Sequence, residues 1–362
     1  MSDKEVKKIV YAAFLIFVLL SMSLELPSQI SDKKEEKARQ NNQDMLKKYP
    51  IPDGAIEIKL MWSFPKESEA EKGVFLNNPR CLAMDSKNNV YVTDEREHRI
   101  AKFDFKGTFI KYLGRPGQGP GDLSFPIFLH IDKDDVLIVG ETGNMRLQFL
   151  DAEGTYLSSI KSKGFFSWTT GEDGEIYTIP VNWPERNNFI EAINRQGELI
   201  RGFGEPLKFK YGGPIYNDAE IARSKDGKLY VGFRWMDIIR KYDQQGNLLN
   251  EFHPENKHYK EHEKYNLENQ KRIQNKEQGG FKTIVVFNSL KLLGDHFFVL
   301  HDYPRIEISE YDPNGKLVSF YWAKKDHGCN LHNFEIRKID GKIFFFILQY
   351  NPEGLIEVYS PM

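Results

Sequence analysis

Along residues 79–360, short apolar runs alternate with polar turns at a spacing too tight for helices. One kind of run is dense in Val, Ile, Tyr and Phe and follows a polar turn: "KNNVYVTD", "KDDVLIVGE", "EDGEIYTI", "KDGKLYVGF", "LGDHFFVL" and "IDGKIFFFI". A second kind ends on Asp or Asn with Gly three positions later: "RIAKFDFKG", "RLQFLDAEG", "FIEAINRQG", "IIRKYDQQG" and "IEISEYDPNG". Asp or Asn opens a tight turn and Gly supplies its positive-φ position, so each copy predicts a hairpin between two strands. Aromatic residues, which favour strands, make up 13% of the chain.

A unit of strand, turn, strand, gap, strand, turn, strand repeating at roughly 45 residues is the pattern of a propeller blade. The closing-turn glycines are Gly107, Gly154, Gly197, Gly246 and Gly315. The last unit ends at "LIEVYS" with no strand left to complete it, while "PDGAIEIKLMWSF", opening with Gly54, offers a matching outer strand near the other end. The expectation is an all-β, six-bladed β-propeller closed by an N-terminal strand. Its blades are read at 79–114, 126–160, 165–204, 215–253, 281–322 and 329–360 with 55–64.

The first unit, "PRCLAMDSKNNVYVTDEREHRIAKFDFKGTFIKYLG", resembles the NHL repeat in its Pro, buried strand, Asp, "VYVTD" strand, Arg, aromatic-Asp pair and Gly. The second, through "GNMRLQFLDAEG", is similar, while later units keep the strands and lose the Arg. Over residues 51–362 the chain resembles anchored or secreted bacterial six-bladed propellers. That resemblance implies that Arg99 and Arg146 are structural, pairing with loop carbonyls or acids. The stretch "GRPGQGPGDLSFP", Gly114 to Pro126, then reads as the Gly-rich connector before an NHL proline. A phosphate loop would need free backbone N–H groups and a following helix, whereas prolines remove N–H groups here and a strand follows.

Ahead of the repeats, Ile9 to Leu24 carry no charge and follow Lys4, Lys7 and Lys8. The positive side normally stays in the cytoplasm, so residues 9–24 are read as a hydrophobic helix anchoring the chain in a membrane, with the rest outside. Cleavage after Ser23 as a signal peptide is the alternative, and would make the protein secreted. Residues 1–30 form this segment and 31–50 a charged linker. Net charge is −2, which argues against nucleic acid, although some NHL propellers bind RNA. Between the fourth and fifth units lies a polar insertion, 253–280, expected to be a solvated helix stopped by Gly279 and Gly280. Its His258, Glu261 and His262 spell H-x-x-E-H, a spacing able to hold zinc on one helix face, without the further ligand or fold that chemistry requires.

Strand order places outer-to-inner connectors and the second-to-third strand turns on one end. The binding surface expected there comprises Arg80, Asp94, Arg96, His98, Glu141, Asn144, Asn182, Trp183, Arg234, Trp235, His301, Asp302, Tyr303 and Gln349. Asp94, Glu141 and Asp302 are candidate ligands for a divalent cation at the channel mouth, because calcium takes several converging oxygens. Propeller lactonases and the NHL-type amidating lyase use a metal there, although the lyase's histidine pattern is missing. No G-x-S-x-G, Cys–His pairing or sialidase Asp-box is present. The expected function is therefore a non-catalytic, monomeric binding or scaffold module with no cofactor, recognising protein, peptide or carbohydrate. A metal-dependent hydrolase or lyase is the alternative. Aligning "NNVYV" with "GKIFF" sets Cys81 opposite about Phe334, leaving Cys329 on the order of 16 Å away along a strand. A disulfide needs Cα atoms within about 7 Å, so two free thiols are expected.

Overall fold

In a computed structural model the protein is described at residues 46–47, 50–162, 164–181, 188–208, 217–254, 257–275, 285–302, 305–324, 331–349 and 354–362. Strand β1 (Ile56–Phe64) and a one-turn helix α1 (Glu67–Ala70) precede four antiparallel four-stranded sheets. The first holds β2 (Pro79–Met84), β3 (Val90–Asp94), β4 (Arg99–Phe103) and β5 (Phe109–Leu113). The second holds β6 (Pro126–Ile131), β7 (Leu137–Glu141), β8 (Arg146–Leu150) and β9 (Tyr156–Lys161). The third holds β10 (Phe165–Thr170), β11 (Ile176–Pro180), β12 (Ile190–Ile193) and β13 (Leu199–Phe203), and the fourth β14 (Ala219–Arg223), β15 (Leu229–Phe233), β16 (Ile239–Tyr242) and β17 (Leu248–Phe252). Helix α2 (Lys257–Gln274) follows, and then β18 (Ser289–Leu293), β19 (His296–Asp302), β20 (Arg305–Tyr311), β21 (Leu317–Lys324), β22 (Leu331–Ile339), β23 (Lys342–Gln349) and β24 (Leu355–Pro361).

These last strands correct the expected six separate blades. They join β1 in one eight-stranded sheet, ordered β18-β19-β20-β21-β1-β24-β23-β22. β1 lies antiparallel to β24, with Ile58 opposite Pro361 and Phe64 opposite Ile356. It also pairs in parallel with β21 through Ile56 with Tyr321 and Glu57 with Trp322. β21 runs on to Lys324, far enough to reach the start of β1, and this contact turns two sheets into one. The molecule is an all-β propeller of four four-stranded blades and an eight-stranded sheet. The hydrophobic helix expected over residues 9–24 lies outside the described residues; among those described, no helix is long and apolar enough to cross a membrane.

The first strand of each unit lines the middle. β2 touches β6, β6 touches β10, and contacts continue through β14, β18 and β22 back to β2. The cores lie between sheets: Leu82, Val92 and Phe103 pack against Phe346 and Val358, and Tyr91 and Ala83 against Leu129 and Val139. The closing-turn glycines adopt φ of 82° to 92°, a region open chiefly to Gly. Each also receives an apolar side chain from the outer strand of the preceding unit. A Cβ on Gly246 would stand 2.3 Å from the Phe203 ring, and one on Gly315 2.2 Å from Phe252. The same relay sets Phe64 on Gly107, Leu113 on Gly154 and Ile160 on Gly197.

Candidate binding face and channel

At the connector end of the first sheet, Asp94 closes β3 and is fully buried. Its carboxylate accepts the backbone N–H groups of Asn77 (3.1 Å) and Asn78 (2.9 Å) and faces Arg99 at 3.6 Å. Burial raises its pKa, opposed by those N–H groups and by Arg99. Arg99 donates to the Phe75 carbonyl at 3.1 Å and stacks over the Tyr112 ring at 3.5 Å. The second sheet repeats the device with a longer acid. Glu141 accepts from Ser124 N–H (2.8 Å), the Asn144 amide (2.6 Å) and Arg146 Nε (2.6 Å). Arg146 donates onward to the carbonyls of Gln118, Gly119 and Asp122, and so holds the Gly-rich connector in place. The structural role implied for both arginines is what the structure shows.

The other expected site residues divide into three groups. Several are internally bonded. Arg80 lies 3.4 Å from Glu95, and Arg234 lies 3.5 Å from both Asp218 and Glu220. His301 is buried with Nε2 3.1 Å from the Ser309 hydroxyl, and the Gln349 amide donates to Glu357. Trp235 is buried and its carbonyl accepts from Asn266 at 3.0 Å. Arg96 is exposed, and His98 is half-buried. Asp302 ends β19, opposite Ile306, at that same end. Asn182, Trp183 and Tyr303 lie outside the described residues. Asp94 and Glu141 are thus committed to separate loops. Among the described residues no group of three or more His, Cys, Asp or Glu stands where it could hold a metal ion.

Sequence reasoning missed the apolar part of this end. Phe75, Phe125 and Met145 are exposed by 41%, 41% and 37%. Phe125 has φ of 49° and Met145 of 50°. The Phe125 N–H donates to His98 Nδ1 at 2.9 Å, and the two rings meet edge to face at 4.5 Å. Its carbonyl accepts from Thr142 N–H at 3.1 Å. Phe125 is fixed between the first and second sheets with its ring partly in solvent. The non-Gly αL backbone is visible only in three dimensions, since "LSFP" in sequence reads as a strand entry.

A half-buried charge cluster on the inner strands was also missed. Lys291 of β18 pairs with Glu335 of β22 at 3.0 Å, and Glu335 with Arg337 at 3.1 Å. Glu220 of β14 accepts from Ser289 Oγ (3.1 Å) and Leu290 N–H (2.9 Å). Burial lowers the Lys291 pKa, but Glu335, Glu220 and Cys81 outweigh it and hold the ammonium above its usual range. Burial pushes the Cys81 thiol up to about 11, against the pull of Lys291, and its Sγ–H donates to the Leu129 carbonyl. At neutral pH this is a thiol and not a nucleophilic thiolate. Cys81 is free, as expected, and Cys329 lies outside the described residues. Burial, reinforced by Lys291, drops His130 to about 4, so its ring is neutral. In sequence, one Lys in "SLKLL" or one Glu in "NFEIRK" looks like ordinary alternation.

Helix α2 is not simply solvated, which corrects that expectation. His262 and Asn266, four apart and on one face, are buried, and Leu267 packs beside Trp235 and Met236. The Asn266 bond to the Trp235 carbonyl and the 2.9 Å contact of His253 Nδ1 with the Asp237 carbonyl fix this region on the β15–β16 turn. The His258 side chain lies outside the described residues, so the H-x-x-E-H reading gains no geometry.

Fold and site together define a β-propeller with a mixed-polarity connector end. Residues 76–103 match the family model for the NHL repeat. Among solved structures, a putative exported protein from Bacteroides fragilis is 12% identical, with a TM-score of 0.57, covering 84% of this chain and 95% of that one. Virginiamycin B lyase from Staphylococcus aureus is 14% identical, with a TM-score of 0.50, covering 84% of this chain and 89% of that one. Its catalytically inactive variant with quinupristin gives 14% and 0.51, covering 84% and 100%. At such identities the likeness is one of fold.

Proposed function

We propose that the protein is a non-catalytic binding module outside the cytoplasm, using its connector end to hold a protein or peptide partner. The observation that carries this reading is the state of the acids and apolar residues at that end. Asp94 and Glu141, two of the three carboxylates considered for a metal, are engaged by loop N–H groups and arginines. Phe75, Phe125 and Met145 stand exposed in the frame those bonds create. A rigid frame carrying exposed aromatics binds with little ordering entropy. The extracytoplasmic setting is supported by the charge-free run at residues 9–24 and by the likeness to an exported propeller.

Thermal unfolding of the full chain with calcium, zinc, magnesium or manganese, against a chelator, tests the choice. A ligand that binds only the folded state raises Tm by mass action. The expected result is no metal-dependent rise, with Asp94→Asn and Glu141→Gln lowering Tm equally with and without metal. A rise of several degrees with one metal, abolished by both substitutions, would overturn the proposal in favour of a metal-dependent hydrolase or lyase.

A further inference from the structure

At the opposite end of the channel, where inner strands turn into their neighbours, a cleft of about 390 Å³ opens between β6, β10 and β14. That is the size range of small-molecule sites. His130, Lys133, Thr170, Glu172, Arg223 and Lys225 line it. Most of its charges are answered, Lys133 by Asp134 at 3.0 Å. Asp132, also on the wall, accepts the N–H groups of Asp134 and Val136 at 2.9 Å each and pairs with Arg195. Arg223 is different. Its side chain is only 12% exposed, and its Nε has no hydrogen-bond partner among the described residues. Among the described residues its one ion pair, with Glu172, is long at 3.7 Å, and the Glu172 side chain is 65% exposed; Glu175, which feels its charge from further off, is already held by Arg201. A buried donor left unpaired is costly, and an exposed carboxylate at that distance holds a guanidinium weakly.

We propose that this cleft binds a small molecule bearing one oxyanion group, a carboxylate or a phosphate, with Arg223 as its anchor and Glu172 as the arm it displaces. A guanidinium matches either oxyanion bidentately and supplies the donors that Glu172 leaves unused. Lys225, exposed on the same wall, adds longer-range attraction. The volume exceeds a bare anion, so the ligand has a body. Thr170 and the His130 ring, 3.0 Å apart, offer that body uncharged hydrogen-bonding partners. This site is separate from the connector end and stands whether or not that end binds a partner.

Isothermal titration of the full chain at low salt with glucuronate, glucose 6-phosphate and glucose tests it. The first two probes separate carboxylate from phosphate, and the third is the neutral control. Saturable binding of at least one anionic sugar and none of glucose is expected. Arg223→Gln should weaken it at least tenfold, and Glu172→Gln should tighten it several-fold by removing the competing carboxylate. Binding of neither anionic sugar, equal binding of glucose, or a folded Arg223→Gln variant that binds like the native chain overturns the proposal. If Arg223→Gln fails to fold, Glu172→Gln, an exposed change, decides: tightening supports the site and unchanged affinity overturns it.

Discussion

Phe125 holds a left-handed backbone, with φ of 49°, that costs an L residue roughly 1–2 kcal/mol. Its His98 and Thr142 bonds keep it there. Replacing it with Gly removes that strain. It also loses an edge-to-face contact worth about 0.5–1.5 kcal/mol and adds chain entropy of about 0.5–1 kcal/mol. Phe125 is also more than half buried, worth about 1–2 kcal/mol, so Phe125→Gly should lower stability by only about 1–2 kcal/mol. Binding of a connector-end partner should nonetheless fall by tenfold or more, measured by crosslinking through a photoreactive residue placed at Phe75. A large loss of stability would instead show that Phe125 serves packing. The pairs Asp94–Arg99 and Glu141–Arg146 were legible in sequence because the repeat places an acid and an arginine five residues apart. The exposed aromatics were not, because exposure depends on which loop from another sheet covers them.

The outer strands and closing turns form the element-scale device. Each turn glycine serves as the floor for an apolar side chain from the unit before it. At Gly315, with φ of 84° and Phe252 at 2.2 Å from a would-be Cβ, Ala adds backbone strain of roughly 1–2 kcal/mol and overpacking of about 1–3 kcal/mol. Gly341 has φ of 80° and nothing within 4 Å, so Ala there adds only the backbone strain, roughly 1–2 kcal/mol. Guanidinium denaturation of the two variants should separate them, and equal losses would refute the relay. The five turns were readable because Asp-x-x-Gly or Asn-x-x-Gly is local chemistry. The joining of β1 to β21 was not, because it rests on two residue pairs between distant segments, Ile56 with Tyr321 and Glu57 with Trp322, and no motif marks them. The docked face of α2 escaped notice for the same reason: its buried His262 and Asn266 are polar, and their partners lie on another element.

For the whole molecule, the channel charges set how stability responds to pH. His130, neutral in the fold with a value near 4, titrates near 6.5 when unfolded. The unfolded chain therefore binds the extra proton first. Stability from this group is full above pH 6.5 and is lost as pH falls towards 4. Asp218 works oppositely. Burial raises it to about 6, against the pull of Arg234, so its contribution is full below about pH 4 and is lost as pH rises through 6. His130→Gln should therefore flatten the acid side of the stability profile between pH 6.5 and 4, measured by denaturant midpoints at pH 7, 5.5 and 4. An unchanged slope would show that the ring already titrates normally. The position of β1 has a mechanical side. A pull on the chain ahead of Ile56 runs along a strand bonded on both flanks, to β24 and to β21. Tension entering there loads two neighbours in shear at once, so the ring would be dragged as a body before its first strand could peel away.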